Sequence, residues 1–226
     1  MTSERFLEPL VQESTPSIIA ARLRTAIGLG QLRPGAQLGE AELARELGVS
    51  RGPLREGIQR LTQEGLLVSI RNRGVFVIEM TPENVRDMYV ARAAVERAAA
   101  EQILRGDPAQ AAVRLNELVD RMAEADADQA TIGEADIAFH ETLVGLAQSP
   151  RLSRIHRTLL TETRMCIGAL EDSYASSAER VTEHREIAAA FLSADPQLVD
   201  RLLVAHMDDA VTRIVGPLPS VAATTT

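Results

Sequence analysis

The sequence predicts a mainly α-helical protein in two parts: a small N-terminal domain of three helices and a β-hairpin, then an all-α antiparallel bundle of about six helices. Three observations support this fold class. Apolar residues recur at helical spacing along most of the 226-residue chain. Two short β-branched runs flank one turn near residue 72, and no strand pattern follows residue 79. Aromatic residues are only 3% of the chain, so we expect a core of Ala, Leu, Val and Ile.

Charge is distributed unevenly along the chain. Residues 1–78 contain 10 arginines and 8 acidic residues, a net charge of +2. Residues 79–226 contain 14 arginines and 24 acidic residues, a net charge of −10. A small basic region attached to a larger acidic one is expected when one domain binds a polyanion and the other does not.

The composition excludes several classes of protein. The single cysteine, Cys166, rules out a disulfide framework and a metal site built from several thiolates. No apolar run reaches the roughly 18–20 residues of a membrane span, and the first residues lack the basic-then-apolar order of a signal peptide. We therefore expect a cytoplasmic protein with no membrane partner.

The N-terminal domain is predicted over residues 15–79, after a flexible arm at residues 1–14. Thr15-Pro16 indicates the start of a first helix, with Thr15 as its N-cap, and Gly48 ends a short second helix. Ser50 is the predicted N-cap of a third helix. The third helix and the two strands are predicted at residues 51–64, 66–70 and 75–78. Three short helices followed by a hairpin is the order of a winged helix-turn-helix.

The second region is predicted over residues 80–215, and residues 216–226 are predicted to be a disordered tail. The Asp-Pro pairs at 107–108 and 195–196 are strong helix start signals. A region of this size is large enough to bury its own core as an antiparallel bundle. The six predicted helices span residues 82–105, 108–126, 131–148, 150–171, 177–193 and 196–214.

The N-terminal end of the third helix is the predicted DNA-reading surface. This end of a helix-turn-helix faces the major groove, and Arg51 and Arg55 share one face of the helix because they lie four residues apart. Arginine can fork onto guanine or bind phosphate, and Ser50 could add a phosphate contact. The alternative is an ordinary solvated face, but the order of capped helix, glycine turn and arginine pair favours DNA.

The hairpin tip is a second predicted DNA contact. Arg71 and Arg73 lie in the turn, and Gly74 allows close approach of the backbone. Residues 45–73 contain six arginines and three acidic residues, a net charge of +3. Such a hairpin would suit a wing that touches the DNA backbone or the minor groove.

Four polar side chains are predicted to point into the apolar interior of the bundle. Asp136 and His140 lie four residues apart on one apolar helix face, and His184 and His206 have inward spacing on two later helices. Burying them without partners is costly, and a divalent cation would pair with all four. Zn is the first candidate, with Ni, Mn or Fe as others; a hydrogen-bonded polar core is the alternative. His156 is also inward but is left out, because no carboxylate partner is evident.

Several short motifs carry a family resemblance: LGEAELA at residues 38–44, GVSRGPLRE at 48–56, EGLL at 64–67 and GVFV at 74–77. They resemble the winged-helix domain of GntR-family transcription regulators. The resemblance implies DNA contacts at Arg45, Arg51, Arg55 and Gly74. Two residues depart from the family pattern: Gly52 stands where the family often has Thr, and Gly57 stands where Ala is usual.

The segment DIAFH at residues 136–140, with His184 and His206, is similar to the metal-binding motif of the FCD effector domain in the FadR/VanR branch. The length and about six helices look more like the VanR subgroup. The resemblance implies that a small organic acid reaches open positions on the metal. Arg92 is a candidate to bind that carboxylate, or else forms a buried pair with Glu96. Arg164 is a further candidate.

The leading hypothesis is a ligand-responsive transcription regulator rather than an enzyme. In it, a homodimer binds a near-palindromic operator in double-stranded DNA, and a small carboxylate effector changes that binding. Two alternatives stay open: a metal-dependent hydrolase with an appended DNA-binding module, and a constitutive DNA binder with a structural metal. No further acid or histidine is evident as a general base beside the ion, which disfavours the hydrolase.

Overall fold

The computed structural model describes residues 14–125, 129–171 and 177–216. The predicted arm at 1–14 and tail at 216–226 lie outside these described residues, apart from Ser14 and Gly216. In the described part of the chain, no helix combines the length and apolar character needed to cross a membrane.

The chain forms two compact units. Among the described residues, the smaller unit contains those before Gly28 together with Gln31 to Ile78. The larger unit contains Gly28 to Gly30 and the chain from Glu79 onward.

The helices and strands of the N-terminal part follow the predicted order: α1 (Thr15–Gly28), α2 (Glu40–Leu47), α3 (Arg51–Gln63), β1 (Leu67–Ile70) and β2 (Gly74–Val77). Gly48 ends α2 in the left-handed conformation, with φ of 64°, and its N–H bonds to the last carbonyls of the helix. One predicted detail is wrong: Thr15 is the first residue of α1 rather than its N-cap. Ser50 is the N-cap residue of α3, as predicted, but its side chain makes no capping hydrogen bond.

The hairpin is antiparallel, with Leu67 opposite Val77, and each strand is shifted by about one residue from its predicted range. A third segment lies beside β2, because Gln37 forms a bridge with Phe76. The Gln37 side chain also donates a hydrogen bond to the Arg73 carbonyl at 2.6 Å. The hairpin tip is therefore braced by a segment that the sequence pattern did not indicate.

α3 packs very closely against α1 at Gly57. A Cβ atom at Gly57 would lie 2.8 Å from Ile19 Cγ2 and 3.2 Å from the Pro16 carbonyl oxygen. Leu54 and Leu61 are fully buried in the same helix. The glycine that departs from the family pattern thus stands where two helix backbones approach each other.

The larger unit consists of six helices: α4 (Pro82–Leu104), α5 (Pro108–Glu124), α6 (Gln129–Leu146), α7 (Pro150–Glu171), α8 (Ser177–Ser193) and α9 (Pro196–Val215). Every end lies within two residues of its prediction. The two Asp-Pro start signals are confirmed, because the side chains of Asp107 and Asp195 accept hydrogen bonds from backbone N–H groups of the first turn. Thr81 caps the start of α4 in the same way.

The core of the larger unit is mostly aliphatic, with Phe139 and Phe191 fully buried in it. The Phe139 ring makes edge contacts with the rings of His140 and His184, at centroid distances of 5.3 and 4.8 Å. The aliphatic core therefore surrounds a group of polar side chains, which is the first place to look for a ligand.

Candidate functional site

Three histidines meet in the core of the larger unit. α6 provides His140, α8 provides His184 and α9 provides His206, and all three side chains are buried. His140 Nε2 lies 3.3 Å from His184 Nε2 and 3.2 Å from His206 Nε2. One ring nitrogen from each residue lies within 4.8 Å of the other two.

Asp136, the fourth side chain that the sequence placed inside, lies at the edge of this cluster. It is buried one helical turn before His140, and its Oδ1 is 3.2 Å from His184 Nε2. Burial opposes ionisation, but the neighbouring His184 outweighs it and holds the pKa of Asp136 well below its usual range. An ionised carboxylate therefore faces the imidazoles.

The other ring nitrogen of each cluster histidine contacts an oxygen atom. The contacts are His140 Nδ1 with Glu96 Oε2 at 2.8 Å, His184 Nδ1 with the Arg180 carbonyl at 2.8 Å, and His206 Nδ1 with Glu183 Oε2 at 3.3 Å. Carbonyl and carboxylate oxygens can only accept hydrogen bonds, so each Nδ1 carries the hydrogen. In a neutral ring, Nε2 then presents a lone pair toward the centre of the cluster.

Lone pairs that face one another in this way repel unless a positive charge lies between them. Burial and the charge of Arg92 lower the pKa of His140 to about 3, and burial with His184 lowers that of His206 to about 3. Neither imidazole therefore takes up a proton at neutral pH, and two unprotonated nitrogens 3.2 Å apart repel each other. A divalent ion would relieve all of these contacts at once.

The donor set fits such an ion. Neutral imidazole nitrogen is the form that binds metal, and imidazoles with a carboxylate suit Zn, Ni, Fe and Mn. Metal-binding histidines usually donate their second ring N–H to a carboxylate or a carbonyl, which fixes the ring orientation. His140, His184 and His206 all make this second bond.

Arg92 on α4 is joined to the cluster through Glu96. Its Nε donates to Glu96 Oε1 at 2.7 Å, and its Nη1 lies 3.4 Å from Thr163 Oγ1. Its Nη2 is buried with no hydrogen-bond partner in the described structure, as is the hydroxyl of Tyr89. The Tyr89 ring centre lies 5.4 Å from Arg92 Cζ. The predicted Arg92–Glu96 pair is present, and an N–H edge of Arg92 still lacks an acceptor.

Arg164, the other predicted effector contact, is engaged elsewhere. Its guanidinium forms two hydrogen bonds to Glu134, at 3.2 and 2.8 Å, and its side chain is 30% exposed. A partly exposed arginine whose charge is already paired is a weaker anchor for a buried carboxylate than Arg92.

Two expectations about the surroundings of the histidine cluster are wrong. His156 has a carboxylate partner, because its Nε2 lies 3.0 Å from Glu96 Oε1, and Glu96 and Glu183 are acids beside the cluster. Glu96 contacts three donors, so it is not a free general base. The sequence indicated that Glu96 is buried, because it lies one turn after Arg92 on the apolar face of α4. The partners across the bundle could not be derived from spacing alone.

The predicted DNA-contacting arginines of the helix-turn-helix are exposed on the smaller unit. Arg55 donates to Glu40 at 2.7 Å, and Arg45 lies 3.8 Å from Glu42. Arg51 has no ion pair or hydrogen bond with any described residue. Its charge at the start of α3 is therefore available to an external anion.

The hairpin tip presents Arg71 and Arg73 to solvent. Arg73 Cζ lies 5.5 Å from the centre of the Phe76 ring. Gly74 has a φ of 106°, and a Cβ atom there would lie 2.9 Å from Gln37 Nε2. Glycine is thus needed both for the turn and for the bracing side chain.

Comparison with protein families accounts for both units. Residues 17–77 match bacterial regulatory proteins of the gntR family, and residues 87–209 match the FCD domain. The chain belongs to the GntR family and carries an FCD domain. The GntR-matched segment includes every predicted DNA contact, and the FCD-matched segment includes the three histidines and Asp136.

Individual relatives agree with this assignment. The GntR-family chain is 34% identical over 133 residues to the Nta operon transcriptional regulator of Aminobacter aminovorans, a match that spans 58% of this chain and 63% of that protein. It is 25% identical over 224 residues to the gluconate operon transcriptional repressor of Bacillus licheniformis, covering 94% and 91% of the two chains. Among solved structures, a putative GntR transcriptional regulator from Rhodococcus sp. RHA1 has a TM-score of 0.71 at 32% identity, over 92% of this chain and 100% of that one.

Family membership gives the GntR-type chain its general role as a DNA-binding transcription regulator. The winged helix-turn-helix followed by a helical FCD domain confirms the predicted fold class, and the FadR/VanR branch is consistent with this combination. The three-histidine cluster lies inside the FCD-matched segment.

Proposed function

We propose that this protein is a ligand-responsive regulator whose FCD domain binds one divalent metal ion and a small carboxylate effector, and which binds a near-palindromic operator as a homodimer. The observation that carries the proposal is the convergence of His140 Nε2 with two other imidazole nitrogens at 3.2 and 3.3 Å in a buried core. Polar groups this deeply buried are costly unless they bind something.

His140, His184, His206 and Asp136 would hold the ion, for which Zn is the first candidate and Ni, Mn or Fe are others. When bound, a divalent ion supplies positive charge that attracts an anionic ligand. Four protein ligands would leave two positions of an octahedral ion open to a carboxylate.

Arg92 is the proposed second anchor for the effector. Its Nη2 is buried without an acceptor, and Glu96 and Thr163 already orient the rest of its guanidinium. A carboxylate oxygen would supply the acceptor that Nη2 lacks, and hydrogen bonds between charged groups are the strong ones. Arg164 is kept as a lesser candidate, because Glu134 already pairs with it.

On the DNA side, we propose base-edge contacts from Arg51 and Arg55, and backbone contacts from Ser50, Arg45, Arg71, Arg73 and the backbone at Gly74. A two-fold symmetric dimer would bind two half-sites separated by about one helical turn or a multiple of it. Repression is the proposed sign of regulation, supported by the Bacillus licheniformis relative that is named a repressor.

The test begins with operator sequences selected from a random DNA library by the full-length protein. Operator affinity is then measured by fluorescence anisotropy at fixed salt, with Zn²⁺-loaded protein and a panel of small organic acids. We expect at least one acid to change the affinity by about 5–150-fold, the usual range of allosteric coupling. Unchanged affinity across a broad panel would contradict the effector proposal.

The same protein separates the two alternatives. Turnover of generic phosphoesters or lactones by the Zn²⁺-loaded protein would show a hydrolase. Zn²⁺ binding without any acid-dependent change in melting temperature would indicate a structural metal in a constitutive DNA binder. The Arg92→Met variant should retain the fold if Glu96 stays bonded to His140 and His156, but it should lose the response to the acid.

A further inference from the structure

Glu96 is the most deeply buried acid next to the histidine cluster, and its two oxygens contact different partners. Oε2 lies 2.8 Å from His140 Nδ1, whereas Oε1 lies 2.7 Å from Arg92 Nε and 3.0 Å from His156 Nε2. The side chain of Glu96 has no solvent exposure. The Glu96 carboxylate therefore links His140 of the cluster to Arg92 and His156, which are both buried.

The groups that contact the two oxygens of Glu96 determine which atom donates each hydrogen bond. Arg92 Nε can only donate a hydrogen bond and lies 2.7 Å from Oε1, so Glu96 forms an ion pair with a permanently charged guanidinium. An ionised carboxylate has no hydrogen to donate, so Nδ1 of His140 and Nε2 of His156 are both donors. His140 is thereby fixed in the tautomer whose Nε2 is free of hydrogen.

We propose that Glu96 is a positioning residue for metal binding: it fixes the tautomer and ring orientation of His140, while Arg92 and His156 hold Glu96 in place. This inference rests on the proposed metal-binding function. It assigns a role to His156, a buried imidazole that does not belong to the three-histidine group. Groups that orient metal ligands in this way typically affect metal affinity by about 10–100-fold.

The chain contains a matched comparison. Glu183 also faces Nδ1 of a cluster histidine, His206, but at 3.3 Å and with a side chain that is 23% exposed. Solvent can replace part of the Glu183 contact, whereas the Glu96 side chain has no exposure to bulk solvent. Loss of the Glu96 carboxylate should therefore weaken metal binding more than loss of the Glu183 carboxylate.

The test measures Zn²⁺ affinity of the full-length chain by competition with a chelating indicator, for the wild type, Glu96→Gln and Glu183→Gln. We expect about a 10–100-fold loss for Glu96→Gln and a loss below tenfold for Glu183→Gln. The ligand-field spectrum of bound Co²⁺ should also change in Glu96→Gln, because His140 changes orientation. Wild-type affinity and an unchanged spectrum in Glu96→Gln would overturn the inference while leaving the metal proposal intact.

A second measurement is read from the wild type, and a variant is needed only to assign the signals. Long-range ¹H–¹⁵N correlation spectra of the metal-free wild type report the tautomer of each histidine, and His140→Gln identifies the His140 signals. The inference requires the hydrogen of His140 on Nδ1; a hydrogen on Nε2 would overturn it. A wild type that binds neither Zn²⁺ nor Co²⁺ would overturn the proposed function, and the inference with it.

Discussion

Glu162 on α7 is a partly buried carboxyl group outside the histidine cluster. Burial, and then repulsion from Asp87, raise the pKa of Glu162 from 4.5 to about 7. Because the folded pKa is higher than the unfolded pKa, the native state binds more protons between these values. The stability that the neutral carboxyl gives is fully present below about pH 4.5 and is lost as the pH rises through about 7.

The Glu162→Gln variant should remove this pH dependence. We expect the variant and the wild type to have similar melting temperatures at pH 4.5, and the variant to melt at a higher temperature at pH 8. The gain should be on the order of 1 kcal/mol, or about 2–4 °C, after allowing for screening of a partly exposed group. Asp87→Asn leaves Glu162 buried but removes the neighbouring negative charge, so it should give part of the stability gain at pH 8. Equal differences at both pH values would contradict the assigned cause.

Among the arginines of α2 and α3 that we propose as DNA contacts, Arg51 is the one whose charge is not already paired with a described residue, since Arg45 lies near Glu42 and Arg55 bonds to Glu40. Arg51→Ala should weaken operator binding and relax base preference at one position of each half-site, by about 1–3 kcal/mol if it reads guanine. The slope of log affinity against log salt should fall by about one for each phosphate that the variant no longer neutralises. Both are measured by anisotropy titrations at several salt concentrations. Arg105→Ala, on the larger unit, is the control and should bind the operator like the wild type. If Arg51→Ala also bound the operator normally, the start of α3 would not be the surface that faces the major groove.

At the scale of secondary-structure elements, the contact of α1 with α3 depends on Gly57. Ala at this position gains up to about 1 kcal/mol of helix propensity. Its Cβ would, however, lie 2.8 Å from Ile19 Cγ2 and 3.2 Å from a backbone oxygen that cannot easily move. Overpacking of this kind costs about 1–3 kcal/mol, so we expect Gly57→Ala to destabilise the protein.

The matched control for Gly57→Ala lies in the same helix. Gly52 is exposed, and a Cβ atom there would meet nothing within 4 Å. Gly52→Ala should therefore stabilise the protein by about 0.4–1 kcal/mol, since it only reduces the freedom of the unfolded chain. Urea unfolding followed by circular dichroism gives both values. A stabilising Gly57→Ala would mean that α1 can shift away from α3 without cost.

The helices were predictable because their signals are local. Asp195 followed by proline marks the start of α9, and its carboxylate does cap that helix. The inward positions of His140, His184 and His206 were also predictable, since a buried helix face follows from spacing within each helix. Convergence of three such faces was a reasonable hypothesis because a bundle has one shared core.

The partners of these histidines were not predictable from spacing. Glu96 meets His140 and His156 only after α4, α6 and α7 pack together, and no spacing along the chain encodes that packing. The same limit explains Arg164, whose position on α7 gave no sign of its pairing with Glu134 across to α6. Side-chain pairs between helices are tertiary information, whereas caps and apolar faces are local.

At the scale of the whole molecule, charge separates the two functions. The N-terminal 78 residues carry a net charge of +2 and the remainder carries −10, with both signs supplied only by arginine and acidic residues. A strongly acidic larger unit is repelled by DNA, so attraction is confined to the smaller unit. Under the proposed function, a cation and Arg92 would offset the negative charge of the larger unit locally, so that this unit could bind a small anion.

This arrangement predicts reciprocal coupling between the effector and DNA. If an acid that responds in the anisotropy screen lowers operator affinity by a given factor, operator DNA must lower the affinity for that acid by the same factor. Operator affinity is measured with and without the acid, and acid affinity is measured by calorimetry with and without operator. His184→Gln, which removes one of the three clustered nitrogens, should reduce both factors toward one while leaving operator binding in the absence of acid unchanged. Unequal factors in the wild type would mean that the two titrations do not report the same pair of binding events, for example because the acid also binds the DNA. An undiminished response in His184→Gln would place the acid site away from the histidine cluster.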